Sequence, residues 1–596
     1  MIPYSPPLAD IRFILTRLIG LERIAALPGY DSVNEELVDA ILGAAGQLAS
    51  EVFAPLNDSG DKEGAHFING KVTTPKGFRE AYQAHVEGGW NALPTEAEWG
   101  GQDLPWSLAM PVQEMWQGSN MSLALCTLLN QGAIELLAAH GDAALKAKYL
   151  PKMVSGVWSG TMNITEPQAG SDVGAISSRA VREGDHFLVT GQKIFISFGD
   201  HDMVDNIIHF VLARLPNAPE GTRGLSLFLV PKIMVNDDGS LGAPNDVRVV
   251  SIEHKLGQHA GPTCVMAFGD NGGATGYLVG AENGGIAAMF VMMNKARIGV
   301  GIQGLGLMER AYQQARDYAK TRVQSPDIAK PKDPPGLIIR HPDVRRMLLQ
   351  MRSATEAARA IALNCAFALD GAKRAADETE KQAAAARVDL LTPVVKAWFT
   401  DLCNEMTSVG VQVYGGMGYI EEAGAAQHMR DARVLSIYEG TNGIQANDLV
   451  FRKLARDDGA AFSVLLKEID AFLSESSAGE GVFVGMRRNL TTSLAQIREA
   501  SAWIIQQAKT NPANAAAVST SFLRLTGNTI GGFYLIRSAW LAKQDLAAGV
   551  GEPEFLKAKI ITAQFFASQI LPQNLGLAAI VMGGGEAVLA MPEDAF

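Results

Sequence analysis

Apolar residues recur at every third or fourth position from Glu35 to about Leu56, through Gly77 to Val86 and from Leu123 to His140. This spacing gathers them on one face of a helix and predicts a mostly helical first third. Between Trp158 and Leu278 the pattern changes to short β-rich runs, Phe187–Thr190, Ile207–Leu212, Leu225–Val230 and Val247–Ile252, separated by Gly, Asp, Asn and Pro clusters. Such runs predict a compact all-β insert. The helical period returns after Gly284, through Ala288–Thr321, Val344–Leu369 and Ala383–Val413, with a loop at Ser325–Pro335, and these helices read as a bundle. Phe462–Leu473, Met486–Ala508, Ala515–Lys543 and Pro553–Ile570 then predict a further helical domain. The charged, alanine-rich run Ala372–Arg387 reads as solvated helix or a helix-to-helix connection. The expected class is α+β, mainly helical, with an N-terminal extension (1–34), a helical domain (35–157), a β domain (158–282), a helical bundle (283–454) and an extra helical domain (455–596).

Composition narrows the classes of function. A chain of 596 residues, 47% hydrophobic, has material for three or four packed units. Its formal charge of -12 argues against a general affinity for nucleic acid or anionic lipid. Cys126, Cys264, Cys365 and Cys403 lie far apart without paired spacing, so neither a disulfide framework nor a zinc site is indicated, and a reducing cytoplasm fits. The start Met1-Ile2-Pro3-Tyr4 has no secretory pattern. Unbroken apolar runs such as Ile286–Met293 fall short of the ~20 residues a bilayer span needs, so no transmembrane segment is expected. Ten histidines include no H-E-x-x-H spacing, and no metal is expected.

Candidate chemistry is concentrated in Ile437-Tyr438-Glu439-Gly440-Thr441, preceded by Met429-Arg430-Asp431-Ala432. A carboxylate between an aromatic and a glycine is a candidate general base with an open approach. Shielding by Ile437 and Tyr438 would disfavour its charged form and tune it toward proton abstraction. The plain alternative is a surface glutamate at a helix-ending turn. A second segment, Thr161 to Asp172, combines hydroxyls with the Pro and Gly of a tight turn. Backbone amides near Ile164 and Thr165, with the Ser171 hydroxyl, suit a planar heterocycle and a phosphate, whereas the alternative is a strand-to-turn link capped by Ser171 or Asp172. In Gly191-Gln192-Lys193-Ile194-Phe195-Ile196-Ser197, alternation puts Phe195 and Ser197 on one face of a strand. Gly301, Gly304 and Gly306 lie inside a helical run without a preceding strand, which points to close helix packing rather than a nucleotide loop.

Taken in order, these segments resemble the acyl-CoA dehydrogenase family, whose patterns T-E-P-x-A-G-S-D, G-x-K-x-[WF]-I-[TS], M-R-D-A and I-Y-E-G-T all occur here. The similarity runs from about Glu35 to Leu454 and implies a helical domain, a central β domain and a C-terminal four-helix bundle. It implies FAD, with Ile164, Thr165, Phe195 and Ser197 near the flavin ring and Ser171 near a cofactor phosphate or the acyl-CoA. Arg322 and Gln324 match the segment that holds FAD phosphates from a neighbouring subunit, and Gln412, Gly415 and Gly416 match another such segment; Thr441 is expected beside the cofactor. Where the family continues with phenylalanine and glycine, this chain has Ser325-Pro326. Without the resemblance, Arg322 reads as an exposed cation at a helix end.

The implied reaction removes two hydrogens from the α and β carbons of an acyl-CoA, with Glu439 as base and Tyr438 and Gly440 beside the substrate. Members that carry the base on an earlier helix place it one residue before an arginine; that position here is Ala296, before Arg297. Alanine cannot take a proton, which leaves Glu439, and Arg297 is expected near the site or in an ordinary helix-to-helix ion pair.

The extra segments at both ends look like the long bacterial branch of the family, some of whose members act on a methylthio acyl-CoA. The resemblance implies an electron-transfer flavoprotein as acceptor, and a helical extension whose apolar faces cover surface that shorter members bury in tetramer contacts predicts a homodimer. Medium- or long-chain acyl-CoA is the alternative substrate. A DNA-binding relative is the alternative of another class, which the C-terminal domain disfavours: Arg456–Phe596 holds 11 Lys and Arg against 13 Asp and Glu. An oxidase, passing electrons to oxygen, and a scaffold without turnover are further alternatives.

Overall fold

The computed structural model describes residues 3–596, and the chain folds into two compact units. The first comprises the residues up to Gly46, Pro105–Gly118 and Val300–Phe596; the second comprises Gln47–Leu104 and Ser119–Gly299.

In the second unit, the helices Met121–His140 and Ala143–Val154 begin at side-chain caps. Asn120 accepts from the Leu123 amide at 3.1 Å, and Asp142 from the Leu145 amide at 2.8 Å. Their apolar residues Ile134, Leu137, Tyr149 and Met153 enter a core with Trp158, Phe210 and Leu227. An eight-stranded sheet follows: β1 (Trp158–Asn163), β2 (Arg179–Glu183), β3 (His186–Ser197), β4 (Asn206–Arg214), β5 (Leu225–Pro231), β6 (Val247–Ile252), β7 (Thr263–Phe268) and β8 (Ala274–Val279). Its order is β6-β7-β3-β8-β5-β4-β1, with β2 against β3 and β4. The neighbours β1 and β4 run parallel. In β4 and β5 nearly every side chain is buried, as expected of strands covered on both faces.

The first unit is helical. Pro342–Arg374, Glu378–Pro393 and Phe399–Tyr414 form the predicted bundle with the later part of Gly285–Ala319. The glycines of that last helix are packing residues. A Cβ on Gly301 would lie 2.4 Å from the Val395 carbonyl oxygen, and one on Gly306 would lie 2.6 Å from the Gly118 nitrogen. The C-terminal helices Ala460–Glu475, Val482–Thr510, Ser519–Ala548 and Pro553–Gln569 follow the apolar period, except that the run expected from Ala515 breaks at Val518 into Pro512–Ala517 and Ser519–Ala548. The N-terminal extension, for which no element was expected, forms the short helices Leu8–Phe13 and Leu21–Ala25 joined by a wide turn of helix at Ile14–Ile19.

A buried ion network ties both chain ends into this unit. Arg359, 1% exposed at its side chain, donates to Asp10 Oδ2, Glu114 Oε1 and Glu309 Oε2, each at 2.6 Å. Lys559 reaches Asp10 Oδ1 at 2.6 Å and Glu356 Oε2 at 2.7 Å. The network joins residues more than 500 positions apart, a connection that no local pattern contains.

One sequence expectation is corrected. Among the described residues, four helices, Glu35–Glu63, Met121–His140, Gly285–Ala319 and Pro553–Gly583, are long and apolar enough on average to cross a bilayer. Counting unbroken apolar runs missed them because single polar residues interrupt each run. In Met121–His140 the apolar window is 89% buried within the fold, so this helix is part of the protein core.

Candidate active site

Glu439 lies in a loop between the helical turn Arg433–Ser436 and the helix Asn442–Asn447. Its backbone adopts the left-handed conformation, with φ +56°, and Gly440 follows at φ +83°. A β-carbon makes this region unfavourable, so the glutamate keeps it only where its surroundings over-determine the loop. Gly440 adopts it at no such cost.

The anchors are visible on both sides. Tyr438 Oη donates to Gln303 Oε1, and the fully buried Gln303 donates through Nε2 to Gln117 at 3.3 Å. Thr441 caps the following helix by accepting from the Ile444 amide at 3.3 Å. Asn442 binds Lys396, Thr400 and Asp401. Glu439 itself is half-buried. The expected shield is only partly built: Tyr438 is half-buried and tethered, whereas Ile437 is 51% exposed.

The segments expected to hold phosphate also meet within this first unit. Tyr318, one helical turn before Arg322, stacks on Tyr414, which immediately precedes Gly415; the ring centroids are 4.1 Å apart and the planes 13° from parallel. Arg322, Gln324, Gly415 and Gly416 are exposed, and Gln412 is exposed beside them. Gly415 has φ +60°, and nothing lies within 4 Å of a β-carbon built on Gly415 or Gly416. Ser325, the departure from the family pattern, turns the chain at φ +61°, and its carbonyl accepts from the Gly336 amide at 2.9 Å.

In the second unit, the two motif segments are bonded to each other. The Ile194 amide donates to the Thr165 carbonyl at 2.9 Å, and Lys193 Nζ to the Ile164 carbonyl at 3.1 Å. The strict alternation expected along β3 does not hold. Its register against β7 slips between Cys264 and Met266, Phe195 takes φ +58°, and Lys193 and Ile196 both point inward, three positions apart. This is a β-bulge, a device that re-aims a side chain. It leaves the Phe195 ring 60% exposed and Ser197 half-buried. Ser171 is exposed, and Asp172, as in the capping alternative, accepts from the Gly174 amide at 3.0 Å. Arg297 is buried, donates to Asn294 Oδ1 at 3.3 Å and sits over the Phe290 ring at 5.9 Å.

Two residues inside the motifs escaped sequence reasoning. Glu166 and Lys193 form a buried pair at 2.8 Å. Glu166 also accepts from the amides and hydroxyls of Ser177 and Ser178 at 2.6–3.1 Å. Burial raises the Glu166 carboxyl, but the Lys193 charge and these donors outweigh it and hold it well below the usual range. Burial lowers the Lys193 ammonium to about 8, against the raising influence of Glu166. The available signal was an oppositely charged pair, Glu166 before Pro167 and Lys193 before Ile194, within the two motif segments.

Four family patterns match this chain. They are described as the acyl-CoA dehydrogenase N-terminal domain (residues 38–157), middle domain (161–271) and C-terminal domain (283–454), and the acetyl-CoA dehydrogenase C-terminal like domain (465–592). The chain belongs to the acyl-CoA dehydrogenase family. This dehydrogenase is an FAD-dependent oxidoreductase that acts on acyl-CoA thioesters, and its mainly helical fold with a central β domain is that of the family. It is 45% identical to a 3-methylmercaptopropionyl-CoA dehydrogenase of Ruegeria pomeroyi, over 95% of this chain and 96% of the relative. A butyryl-CoA dehydrogenase of Syntrophomonas wolfei is 34% identical, over 98% of each chain. Among solved structures, an acyl-CoA dehydrogenase of Bacillus anthracis complexed with FAD has a TM-score of 0.74 at 18% identity, covering 96% of this chain and 91% of that one.

Proposed function

We propose that the dehydrogenase removes the α-proton of its acyl-CoA with Glu439 and that its substrate is a short acyl chain of the 3-(methylthio)propanoyl type. The observation that carries the base assignment is the strained backbone of Glu439, an unfavourable conformation maintained by tethers at Tyr438 and Asn442. The substrate assignment is supported by the greater similarity to the methylmercaptopropionyl-CoA enzyme than to the butyryl-CoA enzyme.

The residues present fit the flavin. Phe195 offers an exposed aromatic face on a bulge bonded to the Thr165 segment, and the buried Asn163 Oδ1, next to Ile164, has no hydrogen-bond partner among the described residues and so leaves an acceptor for a bound donor. In this reading Ile164, Thr165, Phe195 and Ser197 hold the ring. Ser171, Arg322, Gln324, Gln412, Gly415, Gly416 and Thr441 serve the rest of the dinucleotide, and Arg297, Tyr438 and Gly440, with Ser171, lie along the substrate. Bound FAD supplies the acceptor for the hydrogen that leaves the β carbon. The Glu439 carboxylate takes the α-proton, and its backbone N–H polarises the thioester carbonyl, so that the proton becomes acidic where the base waits. The domain boundaries read from the sequence, cytoplasmic location, a homodimer and an electron-transfer flavoprotein as acceptor belong to the same proposal.

The test is anaerobic bleaching of the flavin by acyl-CoAs of graded length, including the methylthio compound. Glu439→Gln is expected to retain the yellow cofactor and lose bleaching; native turnover by that variant would remove the base assignment. Preference for a medium or long chain would remove the substrate assignment. Gel filtration of the holoenzyme tests the dimer, and peroxide formation in place of flavoprotein reduction would reveal an oxidase.

A further inference from the structure

The side chain of Asn442 has an unusual set of neighbours for a residue three positions from the proposed base. Lys396 Nζ, fully buried, donates to its Oδ1 at 2.8 Å. Its Nδ2 donates to Asp401 Oδ1 at 2.6 Å and to the Ala397 carbonyl at 3.2 Å. The Thr400 hydroxyl lies 2.9 Å from Nδ2 and 3.2 Å from Oδ1. A cation that can only donate faces one end of the amide, and a carboxylate that can only accept faces the other. Among side chains of this size, only asparagine offers an acceptor and a donor in that fork. An aspartate would set one carboxylate against another, and a serine cannot span both partners.

Lys396, Ala397, Thr400 and Asp401 lie on consecutive turns, in the wide turn Val394–Trp398 and the helix Phe399–Tyr414, whose surfaces are part of the bundle core. The amide therefore fastens the start of the helix Asn442–Asn447 to a rigid wall. The chain between this fastening and the Tyr438–Gln303 tether is Glu439, Gly440 and Thr441, too short to relax on its own. A free loop of this composition would leave the left-handed region at Glu439, which a side chain with a β-carbon occupies only under constraint.

We propose that Asn442 is a positioning residue for the dehydrogenation: by bridging Lys396 and Asp401 it holds the Glu439 carboxylate in its reactive orientation. This rests on Glu439 being the base. Tyr438, a proposed substrate contact of this loop, is held separately by Gln303, so loss of the bridge falls chiefly on kcat and changes KM by no more than about threefold. Misplacement of a reacting group by about 1 Å costs on the order of 100-fold in rate, which sets the expected size.

The experiment compares steady-state kinetics, flavin content and melting temperature of the holoenzyme for Glu439→Gln, Asn442→Asp, Asn442→Ser and the double variant Asn442→Asp with Asp401→Asn. Asn442→Asp is expected to keep its flavin, hold KM within threefold and lose kcat by 10-fold to 100-fold. The double variant restores a donor facing an acceptor toward positions 396 and 401, because the carboxylate then at position 442 accepts both from Lys396 and from the amide then at position 401; the bond to the Ala397 carbonyl stays lost, so kcat should rise about threefold or more above Asn442→Asp without reaching native. Should Asn442→Asp fail to fold, Asn442→Ser, which adds no charge, decides by the same kcat and KM criterion. Native kcat in either folded single variant, or a kcat loss unrelieved in the double variant, overturns the positioning role. Native turnover in Glu439→Gln instead overturns the base assignment, so the two failures are distinguishable.

Discussion

Lys193 Nζ stands 2.8 Å from Glu166 Oε1, and both side chains are almost wholly excluded from solvent. This pair joins the T-E-P turn to the strand that carries Phe195. Lys193→Met would leave the Glu166 carboxylate buried opposite a methyl group. Removing one partner of a buried pair costs about 3–5 kcal/mol. Urea denaturation should show that loss, and the variant should retain less flavin per chain than the native protein.

Arg359 supports a larger set of charges, with Asp10, Glu114 and Glu309 converging on one guanidinium. Burial pushes the Glu114 carboxyl up to about 7 despite that cation, and the neighbouring charges of Glu309 and Asp10 add to the rise. Arg359→Met should destabilise the first unit by about 3–5 kcal/mol or prevent folding. The exposed pair Lys62–Asp58 provides the contrast: Lys62→Met should change stability by less than about 1 kcal/mol. Denaturation midpoints of the two variants check the difference.

Asp10 has a defined acid signature. Burial raises its carboxyl, but Lys559 and Arg359 outweigh that and lower it from 3.8 to about 2. A carboxyl depressed in the folded state stabilises the fold fully above its unfolded value, and that contribution is lost as pH falls through the folded one. Asp10→Asn should therefore be less stable than the native protein at neutral pH, with a gap that narrows between pH 3.8 and about 2. Circular dichroism across an acid titration reads this directly; a gap that widens toward low pH would contradict it.

Gly527 and Gly485 predict opposite outcomes of the same substitution. A Cβ on Gly527 would stand 2.3 Å from the ring of Trp398, a fully buried indole whose Nε1 donates to Asn528 at 3.0 Å. Gly527→Ala should lower the melting temperature, at a cost of about 1–3 kcal/mol for overpacking. Gly485 lies in the helix Val482–Thr510 with nothing within 4 Å of its Cβ position. Gly485→Ala should raise stability by about 0.5–1 kcal/mol, since the unfolded chain loses freedom and nothing is crowded. Thermal melts of the pair decide both.

Tyr438→Phe should be the mildest change at the proposed base, keeping the ring and removing the Gln303 hydrogen bond. A loss of about 3-fold to 10-fold in kcat is expected, from about 1 kcal/mol of lost tethering. Stopped-flow bleaching with a saturating acyl-CoA checks it.

Much of the architecture was open to reading from the chain alone, because helices with one buried face and strands between turn residues write their period into neighbouring positions. The runs Val344–Leu369 and Met486–Ala508 lie within observed helices for that reason. Motif order likewise assembled the acyl-CoA dehydrogenase reading, since ligand-binding segments keep residue types at short spacing. What escaped depended on partners remote in sequence. Asp10 meets Lys559, Asn442 meets Lys396, and Tyr318 meets Tyr414 only after the helices have docked. The bulge at Phe195 and the left-handed turn at Glu439 are of the same kind: each is a local conformation that the local sequence disfavours, and only packing from elsewhere in the fold supplies the free energy to hold it.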